Sequence, residues 1–353
     1  MVNNDQLDFS FVADLPAIDK APAKRAARSK ASVPSAAALA PVASLAPAAP
    51  APSDIEAMAT ALQAHPDYRV IRRLVPHLQW PAAATGQDIW TVLVLDTETT
   101  GLDYTKDKII ELAFIRVDID RNSGLPVGEA VVYDELEDPG IAIPKEIEGI
   151  TGITQAMVSG RSLDEARISA LMEGVQLVIA HNAGFDRPFV EQRLPQFKDL
   201  PWACSFADIS WKAQGHSSAK LESLALAMGW FYEAHRAEMD CHALLAVLMA
   251  QLPAEGHTGC AHLIELAQQP SFRLQATNAP FDAKDKLKAR GYRWNAEQKV
   301  WATRLNDVNA LHAEYLWLKE NAYHQRAAVV QVEKLDARIR YSARPGDTIY
   351  HQL

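Results

Sequence analysis

"VLVLDTETTGLD", Val92 to Asp103, sets four apolar residues directly before Asp96 and Glu98. The apolar run reads as a buried strand, and alternate residues of a strand point to one face. Two carboxylates therefore stand side by side at the strand's end. At roughly 4 Å and an effective dielectric near 20, two such charges repel by about 4 kcal/mol. Folding alone gives no reason for the pair, and a divalent cation held by oxygen ligands is the expected compensation.

The chain has 353 residues, 48% of them hydrophobic, enough for more than one packed core. No run of 18 apolar residues occurs, and prolines interrupt the Ala-rich stretch 36–52, so no membrane helix is expected. The first residues carry Asp5, Asp8, Asp14 and Asp19 in place of a basic region and an apolar run. A signal or transit peptide is thus not expected, and a cytoplasmic location is the default. Cys204, Cys241 and Cys260 are odd in number and far apart, which suits reduced thiols. His257, Cys260 and His262 are spaced like zinc ligands but lack a fourth, so a loop and helix start is the expected reading.

Five segments follow from composition and periodicity. Residues 1–53 are rich in Ala, Pro and Ser and are expected to be disordered. Residues 54–86 carry helical spacing interrupted by Pro66 and Pro76, which predicts two short helices. Residues 87–252 alternate strand and helix patterns, with three successive strands and then strands interleaved with helices. A capping box, Ser162 to Glu165, opens one of those helices. That order predicts an α/β domain with a mixed sheet flanked by helices. Residues 253–270 read as a linker. Residues 271–353 read as a small basic α+β domain with a strand, a basic helix, a hairpin turning near Ala296 and Glu297, a further helix and a strand.

Charge separates these parts. Residues 87–252 hold 13 Lys and Arg against 26 Asp and Glu, a net −13, whereas 253–353 hold 14 against 11, a net +3. In the C-terminal domain Lys284, Lys286, Lys288, Arg290, Arg293 and Lys299 interleave with Phe281, Tyr292, Trp294 and Trp301. Two readings stay open: a single-stranded nucleic-acid surface, or an aromatic core under a solvated lysine face.

A third carboxylate stands in "VIAHNAGFD", where an apolar strand leads through a turn to Asp186 at a helix start. A fourth, Asp240, enters the helix "EMDCHALLAVLMAQL". His235 lies five residues earlier, and in one helix the two would diverge by about 140°. His235 is therefore expected on the loop leading in, free to reach a cleft.

"DTETTG" with Asp96 and Glu98, "TGIT" at Thr151 to Thr154, "AHNAGFD" ending at Asp186, and His235 five residues before Asp240 together resemble the DEDD exonucleases of the histidine subtype. The pattern is similar to that of the epsilon proofreading subunit of DNA polymerase III and covers about 90–252. The resemblance implies a ribonuclease H-like fold and removal of nucleoside monophosphates from a nucleic acid's free 3′ end, single-stranded DNA first. It implies that Asp96, Glu98, Asp186 and Asp240 hold two Mg²⁺ or Mn²⁺ ions, with His235 as general base. Thr99, Thr100 and Leu102 would hold the terminal nucleotide, with Thr151 and Asn182 in the substrate-binding set. Thr151 stands where many relatives have histidine, which bears on substrate positioning. A DNA polymerase is an implied partner. "QLDFSF", Gln6 to Phe11, is similar to the peptides with which bacterial DNA-processing proteins dock on the sliding clamp. The alternatives are an exoribonuclease and a non-catalytic adaptor for nucleic acid or polymerase; four close acids speak against the adaptor.

Overall fold

A computed structural model describes residues 52–353 apart from residue 297. The Ala/Pro-rich tail and the Gln6–Phe11 peptide lie outside the described residues. The chain divides at residue 70. In the first unit the helix Pro52–Ala64 forms where a helix was expected. The second helix expected before residue 86 does not form. Arg72–Arg73 instead pair in parallel with Trp230–Phe231, and Leu78 and Trp80 exchange backbone hydrogen bonds with Gly128 and Ala130. Branched Ile71 and Val75 and the restriction that Pro76 places on its predecessor favour extended backbone there.

The second unit is built on a mixed five-stranded sheet. Its strands are β1 (Ile89–Thr99), β2 (Ile109–Asp120), β3 (Leu125–Leu136), β4 (Leu177–Ala180) and β5 (Trp202–Cys204). The order is β3-β2-β1-β4-β5, antiparallel through the first three strands and parallel from β1 to β5. This is the ribonuclease H-like arrangement expected for residues 87–252.

The two-residue period of β1 sorts its side chains onto two cores. Val92 and Val94 join Ala113, Ile115 and Val117 of β2 beneath Ala237, Cys241 and Leu244 of the helix Ala237–Leu248. Leu93 and Leu95 join Leu112 and Phe114 beneath Ala183, Phe189 and Val190 of the helix Ala183–Arg193. Val92 to Leu95 have no exposed surface, and full burial of each such side chain is worth about 1.5–3 kcal/mol. Asp96 and Glu98 continue the parity of Val92 and Val94, so they face the side that carries the Ala237–Leu248 helix. Thr97 continues the parity of Leu95 and faces the other.

Two local expectations are corrected. The helix Glu165–Met172 is capped by Asp164, whose carboxylate accepts from the Arg167 backbone N–H at 2.9 Å, and not by Ser162. An ionised cap two residues closer suits the helix dipole better than a hydroxyl. The segment 253–270, expected as a linker, contains the helix Gly259–Ala267, and Cys260, Leu263 and Ile264 enter the first core.

The C-terminal part forms an antiparallel sheet of β6 (Ser271–Ala276), β7 (Arg293–Asn295), β8 (Val300–Leu305), β9 (Val329–Leu335) and β10 (Asp347–Gln352), in the order β7-β8-β6-β9-β10. The β7–β8 hairpin lies where the sequence places it; β10 was not foreseen. The aromatics divide. Tyr292 is buried with Leu287 and Tyr315, whereas Phe281 is 82% and Trp294 49% exposed.

Residues 336–344 tie this sheet to the first. The Trp202 N–H donates to the Ala337 carbonyl at 2.7 Å, extending the edge of β5. Arg187, with no exposed surface, donates to the carbonyls of Ala337 (3.0 Å), Arg340 (2.6 Å) and Arg338, and to Glu191 at 2.6 Å. Buried Asp208 receives Arg304 at 3.2 Å and the Tyr341 hydroxyl. Charged groups this deeply buried are tolerated only when so paired.

Candidate active site

β1 ends in a bulge. Glu98 lies opposite Glu111 of β2, but Thr99 lies opposite Ile109, so the register slips by one residue. Such irregularities re-aim the side chains beside them. The chain then turns through Gly101, where a Cβ would lie 2.6 Å from the Asp107 carboxylate. That approach excludes a larger residue. Asp107 holds the turn by accepting from the Asp103 N–H at 2.8 Å and the Thr100 hydroxyl at 3.3 Å.

The Ala237–Leu248 helix brings Asp240 onto the face shared by Asp96 and Glu98. One oxygen from each of these three carboxylates lies within 4.8 Å of the others. They are half-buried, and among the described residues none of them is ion-paired to Lys or Arg. Among the described residues this is also the one set of three that could hold a metal; His257, Cys260 and His262 do not make another. His257 Nδ1 lies instead 2.9 Å from the Glu255 carbonyl. An all-oxygen donor set of three acids fits hard divalent cations such as Mg²⁺ or Mn²⁺.

Asp186 approaches from the other side of the sheet. Its helix packs on the second core, and its Oδ1 accepts from the Thr97 hydroxyl at 2.8 Å. The structure therefore sets Asp186 beside the cluster and outside its closest trio, while their charges still act on one another. Burial, then Asp186 and Asp240, push the Asp96 carboxyl well above the usual range. Burial, then Asp240 and Glu111, push Glu98 up to about 8. Burial raises Asp186 to about 7 against the Thr97 hydrogen bond. Asp240 is raised by burial too, with the Tyr232 hydroxyl and the His235 N–H opposing. A bound cation would favour proton release from each of these acids.

His235 lies on the loop before the helix, as its spacing predicts. It is exposed, with φ at 65°, and its backbone N–H donates to Asp240 Oδ2 at 2.8 Å. A positive φ in a residue other than glycine marks a conformation held by its surroundings. Of the expected substrate-binding residues, Leu102 is 47% exposed. Thr99 and Thr100 are buried, with Thr99 donating to the Gly101 carbonyl at 2.6 Å. The Thr151 hydroxyl donates to the Ile147 carbonyl at 2.9 Å and accepts from the Ile153 N–H at 3.1 Å. Asn182 makes no side-chain cap bond; its contribution is a left-handed turn, φ 70°, before Ala183. Asparagine visits that region more readily than most residues.

Four residues of the site escape the sequence reading: Thr97, Glu111, Tyr232 and Arg236. Tyr232 donates to Asp240 Oδ1 at 2.8 Å. Glu111, with no exposed surface, receives Arg236 at 2.8 and 3.0 Å and the Ala237 N–H at 2.9 Å. An acid in the middle of "KIIELAFIRVD" was the available signal for Glu111, since a buried strand rarely carries an unpaired charge.

Residues 93–248 match the Exonuclease family. Residues 93–248 thus form an exonuclease domain. Over 187 residues the chain is 29% identical to a DNA polymerase III subunit epsilon of Treponema pallidum, covering 50% of this chain and 83% of that protein. Over 139 residues it is 34% identical to a PolC-type DNA polymerase III of Thermotoga maritima, covering 38% of this chain and 9% of that protein. The chain thus spans less than a tenth of this PolC-type relative. Among solved structures, Exonuclease X in complex with 5′ overhanging duplex DNA shares 25% identity over 48% of this chain and 99% of that one, with a TM-score of 0.36. No described helix is long and apolar enough to cross a membrane. The exonuclease domain ends before β6, so the sheet β6–β10 is an addition to it, joined through residues 336–344.

Proposed function

We propose that this chain is a metal-dependent 3′-5′ exonuclease that removes nucleoside monophosphates from the 3′ end of DNA, in replication proofreading or repair. The convergence of Asp96, Glu98 and Asp240 within 4.8 Å supports it most directly. In this reading Asp96, Glu98, Asp186 and Asp240 hold two Mg²⁺ or Mn²⁺ ions. When bound, such ions neutralise charge on the phosphoryl oxygens and acidify an attacking water.

The chain's own groups supply the rest. His235, exposed and bonded through its backbone N–H to Asp240, accepts the proton of the attacking water, a general-base role that histidine commonly fills. Exposed Leu102 packs against the terminal nucleotide, and the backbone of Thr99 and Thr100 orients it. Thr151 and Asn182 shape the walls through the turns they stabilise. The names of the epsilon and PolC-type relatives support a place beside a DNA polymerase. The acids themselves do not report the sugar.

The test is digestion of matched 3′-labelled DNA and RNA oligomers with Mg²⁺, beside an Asp96→Asn variant. Mononucleotide release from DNA by the parent protein and none by the variant is expected. Faster release from RNA would make it an exoribonuclease, and equal activity in the variant would overturn the assignment.

A further inference from the structure

Glu111 stands directly opposite Glu98 in the β1–β2 ladder, has no exposed surface, and lies under the start of the Ala237–Leu248 helix. The residue at that helix's cap position, Arg236, offers no side-chain cap. Glu111 replaces it from another element: one carboxylate oxygen accepts from the Ala237 N–H at 2.9 Å, and the other takes the Arg236 guanidinium at 2.8 and 3.0 Å. A carboxylate at a helix N-terminus also meets the positive end of the helix dipole. Arg236 in turn follows His235, whose left-handed backbone is pinned on its other side by Asp240 Oδ2.

We propose that Glu111 is a positioning residue for the nuclease: acting through Arg236 and the Ala237 N–H, it fixes the backbone from which His235 and Asp240 reach the cluster. This rests on the nuclease reading above for its consequence, but not for its geometry. Glu111 is held in the regular β1–β2 register, one pair before the bulge between Glu98 and Thr99, and its oxygens are taken by Arg236 and the Ala237 N–H. A fifth carboxylate so near the others is tolerated because Arg236 neutralises it, whereas Asp96, Glu98 and Asp240 lack such a partner among the described residues. Glu111 is thus set apart from a fifth metal ligand by its occupied oxygens.

The test uses the full chain with Glu111→Gln, Arg236→Met and Arg236→Lys. Two readouts are taken: amide hydrogen exchange at residues 235–237 in metal-free protein, and hydrolysis of p-nitrophenyl thymidine 5′-monophosphate over a Mn²⁺ titration. Glu111→Gln is expected to speed exchange at those amides by about tenfold or more. It should lower kcat by about 10- to 100-fold, the range found for groups that orient ligands. The KM for the ester should stay within about twofold of the parent value. Arg236→Lys should recover part of what Arg236→Met loses. Unchanged exchange and kcat in a folded Glu111→Gln protein would overturn the proposal, as would full recovery of kcat at high Mn²⁺, which would make Glu111 a ligand. If the parent protein hydrolyses nothing while exchange still responds, the nuclease reading fails and the brace stands.

Discussion

Tyr232 and Asp240 of the acidic cluster form a hydrogen bond of 2.8 Å in which the phenol donates to Oδ1, while the His235 N–H holds Oδ2. Asp240 therefore has both oxygens oriented before any cation arrives. Tyr232→Phe removes one donor and lets the Asp240 carboxyl rise further, since that bond is what most opposes its burial. The expected outcome is a Mn²⁺ requirement raised by about 10- to 100-fold at pH 7, with less effect at pH 8.5. Activity over a metal titration at the two pH values checks it.

Asp96→Asn should separate function from stability. Losing a carboxylate from the trio should cut activity by about 10³-fold, the factor that a few kcal/mol of lost transition-state stabilisation produces. The same change relieves repulsion among buried acids and should stabilise metal-free protein by about 1–2 kcal/mol. Urea unfolding in EDTA, beside an activity assay at saturating Mn²⁺, reads both.

The raised acids fix a pH dependence with a definite sign. Glu98 is held up to about 8 and Asp186 to about 7, so between the ordinary carboxylate range and pH 8 the folded chain binds more protons than the unfolded one. Metal-free stability should then fall as pH rises through that window. Cation binding displaces those protons, so the gain in melting temperature on adding Mn²⁺ should be larger at pH 8 than at pH 6. Calorimetry in buffers of different ionisation enthalpy should detect proton release.

Arg187→Met tests the junction between the sheets. The parent guanidinium has no exposed surface and satisfies three carbonyls of residues 337–340 together with Glu191. Its loss should cost about 3–5 kcal/mol, as breaking a buried pair does. Urea unfolding followed by circular dichroism reads it, and a shift below 1 kcal/mol would show that the junction contributes little.

Much of this site could be read from the chain. The parity of Val92, Val94, Asp96 and Glu98 already places both acids on one face, and the five-residue gap to Asp240 already frees His235 from its helix. Those are short-range regularities, fixed by strand and helix periods. What the chain concealed depends on register and on distant partners. Glu111 meets Arg236 only because a loop from 125 residues later returns over β2, and Thr97 meets Asp186 only because a helix from 89 residues later packs on the second core. Residues 253–270 passed for a linker because a nine-residue helix there, with His, Thr and Gly at its start, carries too little periodicity to stand out.

The contact between Arg187 and Ala337 spans 150 residues of sequence. At roughly 5–20 residues per second of synthesis, the catalytic half waits about 10–30 s on the ribosome before its edge acquires the last partner. During that interval Arg187 lacks the carbonyls of Ala337, Arg338 and Arg340, and the Trp202 edge lies open. Full activity of this half should therefore arise only after residues 336–344 have emerged and closed that edge.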